Sequence, residues 1–235
     1  MKSEDKRMEG KLFFKYKDDN DNAELLFEKA DKFTELMMEY RCAVREIETK
    51  LHVLNDEYST QFDRNPFESI KARIKTPKSI FEKLRRRSLD LSVESIEENL
   101  ADVAGVRVIC SFVDDIYRLA EQLIAQDDIV LIEKKDYIKN PKSNGYRSLH
   151  LILEIPIFLS KGKKYIKVEV QFRTIAMDFW ASLDHKLKYK KSIQNQDVIV
   201  AELKECADTI SDMDCRMQQI RYMIEEQGNV MDSDT

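Results

Sequence analysis

Apolar positions recur along this chain with two distinct periods. Phe33, Leu36, Tyr40, Val44, Ile47, Leu51, Leu54 and Tyr58 follow one another at steps of three or four. That spacing predicts one long helix with a single apolar stripe, ending near Tyr58. Residues 63–66 break it, and a short strand is expected over about Phe67–Arg73. Thr76 reads as an N-cap and Pro77 as the first residue of the next helix, which carries Ile80 and Leu84. Ser92, with Ser95 and Glu98, starts another short helix. Val103–Phe112 is β-branched and apolar, as a buried strand requires. A helix over 114–125 and strands over 129–133 and 148–157 follow. After a turn at 161–163, residues 165–173 alternate cleanly. Val168, Val170 and Phe172 point one way; Lys167, Glu169, Gln171 and Arg173 point the other. A helix over 175–187 and a last long one over 198–226 complete the chain. The stripe of the last helix is Ile199, Leu203, Cys206, Ile210, Met213, Met217, Ile220 and Ile224. The expected fold class is α+β, a mixed sheet of about five strands flanked by helices, with long N- and C-terminal helices.

Composition narrows the picture. Only 5 Gly and 4 Pro occur in 235 residues, which disfavours linkers and a many-turned β sandwich. No stretch is apolar and long enough to span a bilayer, and MKSEDKRMEGK lacks the apolar core of a signal peptide. A cytoplasmic protein with no membrane partner is the default expectation. The net charge of −5 excludes a globally basic DNA binder. The charge is uneven, however. Lys71 to Arg87 holds eight basic residues against Glu82, and Lys134 to Arg147 holds five against Asp136. Such patches suit a pocket for small polyanions, or equally a solvated face. The four cysteines and three histidines form no zinc-like spacing.

Three stretches could carry chemistry. The polar row on strand 165–173 could be an ordinary solvent face or the lining of a cleft. Asp102, at the mouth of a buried strand, could be a turn aspartate. It could also pair with Glu169 to bind Mg²⁺ together with phosphate oxygens. Spacing alone cannot bring those two carboxylates together. In 142–150 (KSNGYRSLH), Asn144-Gly145 supplies a tight turn and Tyr146 an aromatic face, with Lys142 and Arg147 beside it. This could be a turn into a strand or a platform for a base. The chain contains neither a P-loop nor G-x-G-x-x-G, so side chains must hold any nucleotide.

Taken in order, these motifs resemble the RelA/SpoT-type alarmone synthetases. The resemblance rests on Arg73, Lys75, Ser79, Ile80 and Lys83 (R-x-K-x-x-x-S-I-x-x-K), on D-V-A-G-V-R at 102–107, and on the loop at 142–150. V-E-V-Q-F-R-T at 168–174 and A-M-D-F-W-A-S-L-D-H at 176–185 complete it. Within that family, the chain looks like the small single-domain, RelQ-like members. The resemblance implies a nucleotidyltransferase-like catalytic domain over 63–190. A polar extension (1–22) and an N-terminal helix (23–62) would precede it, and a C-terminal helical region (191–235) that could serve oligomerisation would follow. It implies transfer of the β,γ-diphosphate of ATP to the 3′-hydroxyl of GDP or GTP, giving ppGpp or pppGpp and AMP, with no hydrolase activity. Asp102 and Glu169 would hold Mg²⁺, and Glu169 would activate the hydroxyl. Arg73 and Arg107 would sandwich adenine; Lys75, Ser79, Lys83 and Arg86 would meet the ATP phosphates. Tyr146 would stack on guanine, with Asn144, His150 and Gln171 positioning the acceptor and Lys142 near its phosphates. A homotetramer and an activating (p)ppGpp ligand are further implications. The alternatives are a related enzyme that pyrophosphorylates an adenine nucleotide or a tRNA end, and a catalytically silent RNA-binding regulator.

Overall fold

The computed structural model describes residues 23–62, 64–188 and 196–232. The polar extension expected over 1–22 lies outside the described residues. Eleven elements follow one another along the described residues: α1 (Ala23–Gln61), β1 (Phe67–Ile74), α2 (Pro77–Arg86), α3 (Val93–Asn99), β2 (Ala104–Cys110), α4 (Val113–Ile124), β3 (Val130–Asp136), β4 (Leu149–Leu159), β5 (Gly162–Thr174), α5 (Ile175–Lys188) and α6 (Gln196–Asp232). The expected order of elements is the observed one. The β4–β5 hairpin turns more tightly than the sequence suggests, with Leu159 paired to Gly162, so both strands are longer than expected.

The five strands form one sheet in the order β1-β2-β5-β4-β3. Only β2 and β5 run parallel; every other pair is antiparallel. The sheet is therefore mixed, and its parallel pair lies at the centre. Edge strand β3 leaves Val130, Leu131 and Ile132 exposed. Lys134 and Lys135 continue that strand, and lysine on an edge discourages strand addition.

The rear face of the sheet is the core. Val106, Val108, Val168, Val170, Phe172, Leu151 and Leu153 are at most 1% exposed. Burying each such side chain contributes about 1.5–3 kcal/mol. Helix α1 lies across this face and touches β1, β2, β4 and β5. Its predicted stripe buries as expected, with Ile47 and Leu51 fully enclosed and only Leu54 partly open. Helix α2 starts where the sequence suggests: the Thr76 side chain accepts from the Ser79 backbone amide and Pro77 occupies the first turn. Lys83, Arg85 and Arg86 in its last turn complement the helix dipole. Ser92 caps α3 in the same way through Ser95.

Helix α6 differs from its sequence pattern. The residues it buries, Ala207, Asp214 and Arg221, recur every seven positions and are mostly polar. Met213, Met217, Ile220 and Ile224 are 49–64% exposed. Specific polar contacts outcompete the apolar stripe for the body of the protein. Arg221 pairs with Asp114 on α4, Thr174 donates to Asp214 at 2.6 Å, and the Trp180 indole donates to the Leu203 carbonyl at 2.9 Å.

Candidate active site

The front face of the sheet carries the polar row of β5. Because strands alternate, register decides which side chains share that face. Lys71, Arg107, Gln171, His150 and Lys135 lie side by side across the five strands. The neighbouring row is Arg73, Gly105, Glu169 and Ile152. Gly105 puts no side chain between Arg73 and Glu169, so this row stays open at its centre.

Asp102 lies two residues before the start of β2 and three before Gly105 at that gap. Its Oδ2 is held by the ammonium groups of Lys75 and of Lys83, the latter at 2.5 Å. Lys75 also donates to the Asp102 carbonyl at 2.9 Å. Burial opposes ionisation of Asp102, but the two lysines outweigh it and hold the carboxyl below the usual carboxylate range. Burial pushes Lys75 down, against the pull of Asp102. The Asp102 Oδ1 is buried and has no hydrogen-bond partner.

Glu169 is the hub of the other half. Its Oε1 accepts from His150 Nδ1 at 3.1 Å and its Oε2 from Gln171 at 2.7 Å. Burial works against its charge, yet these hydrogen bonds prevail and lower its pKa, while the charge of Asp102 pushes it back up. The register of β2 against β5 is the geometric basis of that opposition, since Glu169 pairs with Gly105, three residues after Asp102. His150 Nε2 lies 2.8 Å from the Tyr146 hydroxyl, which in turn accepts from Arg173 at 2.7 Å. An ionised carboxylate can only accept, so Nδ1 carries the proton that Glu169 receives, and in the neutral imidazole Nε2 then accepts from the Tyr146 hydroxyl. The hydrogen-bond pattern thus fixes the His150 tautomer.

The loop after β3 presents Tyr146. Gly145 has φ +85, a left-handed conformation that glycine adopts without steric cost. Asn144 accepts from the Tyr146 amide at 3.3 Å, so its side chain braces the loop. The Lys142 ammonium lies 5.0 Å from the Tyr146 ring centre, and Tyr137 meets the same ring edge-on. Arg73, Arg107, Tyr146, Gln171 and Arg173 line a cleft of about 730 Å³ that α5 closes with Ser182, Asp184, His185 and Lys186.

The sequence-predicted residues therefore separate into groups. Asp102, Lys75 and Lys83 form one cluster. Glu169, Gln171, His150 and Tyr146 form a second. Arg73 and Arg107 face the shared cleft. Ser79 is exposed and held by Thr76 at 3.0 Å, and Arg86 is exposed in the last turn of α2. Sequence reasoning assigned nothing to Arg173 and Asp178. Arg173 is only 5% exposed, and Asp178 accepts from both Arg107 and Arg173. The signal was the position of Arg173 on the polar row of β5, followed five residues later by an acid in the first turn of α5. In the same helix Phe179 is 59% exposed, whereas Trp180 is buried.

Among the described residues no group of three or more His, Cys, Asp or Glu side chains is arranged to hold a metal. Asp102 and Glu169 make a two-carboxylate set. That set fits Mg²⁺, which takes one or two carboxylates and fills its shell with water and substrate phosphates. The orphaned Asp102 Oδ1 is a free hard-oxygen donor of the right kind.

Comparison with known proteins agrees with this geometry. A profile described as "Region found in RelA / SpoT proteins" matches residues 72–194. The GTP pyrophosphokinase YwaC of Bacillus subtilis strain 168 is 41% identical over 189 residues, covering 80% of this chain and 90% of that protein. The crystal structure of small alarmone synthetase 1 from Bacillus subtilis bound to its product pppGpp matches with a TM-score of 0.76 at 37% identity, covering 82% of this chain and 98% of that one. The same enzyme bound to AMPCPP matches with a TM-score of 0.70 at 33% identity, over 83% and 99% of the two chains. With this similarity spread over most of its length, the chain belongs to the RelA/SpoT family, among the small alarmone synthetases.

Proposed function

We propose that this chain transfers the β,γ-diphosphate of ATP to the 3′-hydroxyl of GDP or GTP, yielding ppGpp or pppGpp and AMP. The observation that carries this reading is Glu169. It is an ionised carboxylate held by His150 and by Gln171, and Gln171 lines the cleft together with Arg73, Arg107 and Tyr146. Arg73 and Arg107 offer flat guanidinium faces to adenine, which lysine could not. Lys75, just before α2, and Ser79, Lys83 and Arg86 on α2 meet the triphosphate. Tyr146 stacks on guanine, and stacking of this kind is worth roughly 1–3 kcal/mol. His150 and Gln171 orient the ribose end of the acceptor, Asn144 shapes the loop, and Lys142 lies near the acceptor phosphates.

Glu169 takes the proton of the 3′-hydroxyl. The 3′-oxygen bonds to the β-phosphorus, and the bond from that phosphorus to the α,β-bridging oxygen breaks, so AMP leaves with that oxygen. Transfer of this type depends chiefly on alignment and charge stabilisation. Asp102 and Glu169 would hold Mg²⁺, whose chemistry there is to offset the phosphate charge.

Chromatography of products after mixing the protein with ATP, Mg²⁺ and either GDP or GTP tests the reading. Glu169→Gln is expected to lower turnover by roughly 10²–10⁴-fold, the usual contribution of a general base, and to leave nucleotide binding largely intact. Product from ATP alone, or unchanged turnover in the variant, contradicts the assignment. The protein is further proposed to be a cytoplasmic homotetramer. The exposed apolar stripe Met213, Met217, Ile220 and Ile224 on α6 supports self-association. No helix among the described residues is long and apolar enough to cross a membrane.

A further inference from the structure

Between the two substrate walls lies a connected set of side chains whose roles are not exhausted by binding. Asp178, in the first turn of α5, accepts from Arg107 at 3.1 Å and from Arg173 at 3.0 Å, both on Oδ1. Arg173 uses its other terminal nitrogen to donate to the Tyr146 hydroxyl at 2.7 Å, and its guanidinium lies 5.1 Å from the centre of that ring. Arg107 belongs to the donor wall and Tyr146 to the acceptor wall. We propose that Asp178, acting through Arg173, is a positioning group that sets the donor and acceptor walls of the cleft against each other. The inference rests on the reading of the cleft given above.

Three features support it. Arg173 is only 5% exposed, and a buried guanidinium needs a compensating charge. Asp178 supplies that charge, with its side chain 18% exposed. Arg107 and Arg173 carry like charges. Burial and then the charge of Arg173 push the Arg107 guanidinium down, and Asp178 pulls the other way. A carboxylate on both arginines holds them together; a neutral amide in its place would leave them repelling. The Nε atoms of Arg107 and Arg173 are buried without a hydrogen-bond partner. The connection therefore runs through the terminal nitrogens, in the planar fork that arginine has and lysine lacks. At the far end, the Tyr146 hydroxyl is held from two sides, by Arg173 and by His150. Two anchors fix the tilt of a ring that would otherwise rock about its side-chain torsions.

The test is initial-rate kinetics with both substrates varied, with thermal melting measured alongside, for the unaltered protein, Asp178→Asn and Arg173→Lys. Asp178→Asn is expected to raise KM for ATP and for the acceptor together, each roughly tenfold, the scale of one lost charge-assisted hydrogen bond. Arg173→Lys keeps a cation beside Asp178 but loses the fork to Tyr146. It is expected to raise the acceptor KM roughly tenfold and leave the ATP KM within twofold. A merely structural role would lower the melting temperature and the active fraction without this split. Asp178→Asn that moves kcat alone or one KM alone, or Arg173→Lys that moves both KM values or neither, overturns the proposal. If Asp178→Asn fails to fold, the Arg173→Lys split decides. Failure of the unaltered protein to make product would overturn the activity itself, a result distinguishable from either variant.

Discussion

Asp102 carries two cations on a partly buried carboxylate. Lys75 and Lys83 have side chains only 17% and 16% exposed, so removing the charge they share leaves two desolvated ammonium groups close together. Asp102→Asn is expected to cost about 1–3 kcal/mol at neutral pH, below the figure for a fully buried pair because the site is partly wet. The pH dependence has a defined sign. Asp102 has its pKa lowered in the folded protein, so its contribution is complete above the unfolded value near 4 and is lost as pH falls through the folded value. Urea unfolding of both proteins between pH 7 and pH 3 checks this. The gap between them should narrow only below about pH 4; a gap independent of pH would contradict it. The same logic places Glu169: its lowered pKa keeps it ionised throughout the neutral range.

At the scale of elements, the loop bearing Tyr146 is fitted to α6. A Cβ added at Gly145 would come within 2.4 Å of the Ala207 Cβ and 3.3 Å of the Lys204 Cα, on a backbone with φ +85. Gly145→Ala combines a left-handed penalty with overpacking and is expected to cost about 2–4 kcal/mol. It should weaken acceptor binding more than ATP binding, read by titration with GDP and with a non-hydrolysable ATP analogue; equal losses would refute the assignment of this loop to the acceptor. The same contact shows where sequence reading succeeds and where it stops. Asn144-Gly145 was legible as a turn because the requirement is local. That the glycine also makes room for α6 was not, because it depends on a residue 62 positions away. The alternation of β5 correctly placed Glu169, Gln171 and Arg173 on one face, since a strand's period is set by its own backbone. The stripe of α6 stays exposed because polar partners elsewhere in the chain, Thr174, Asp114 and Arg147 among them, claim the neighbouring face. Arg173 received no role because a polar-row arginine looks the same in sequence whether it meets water or Asp178.

On the scale of the whole molecule, α1 covers the rear of the sheet, α5 borders the cleft on the front, and α6 packs against α5. The exposed face of α6 argues the assembly prediction. Met217→Glu with Ile220→Glu is expected to shift the particle to a smaller species in analytical ultracentrifugation, while the melting transition of the subunit persists. An unchanged sedimentation coefficient would locate self-association elsewhere. The order β1-β2-β5-β4-β3 has one more consequence. Arg107 on β2 and His150 on β4 stand on either side of β5, hence about 10 Å apart at the usual strand spacing. On the proposed reading, the backbone ladder is thus a ruler laid between donor and acceptor. No side-chain exchange can lengthen it without tearing interstrand hydrogen bonds. A change of acceptor must therefore be written into the loop at one end of the scale, leaving the reach of the reaction as it is.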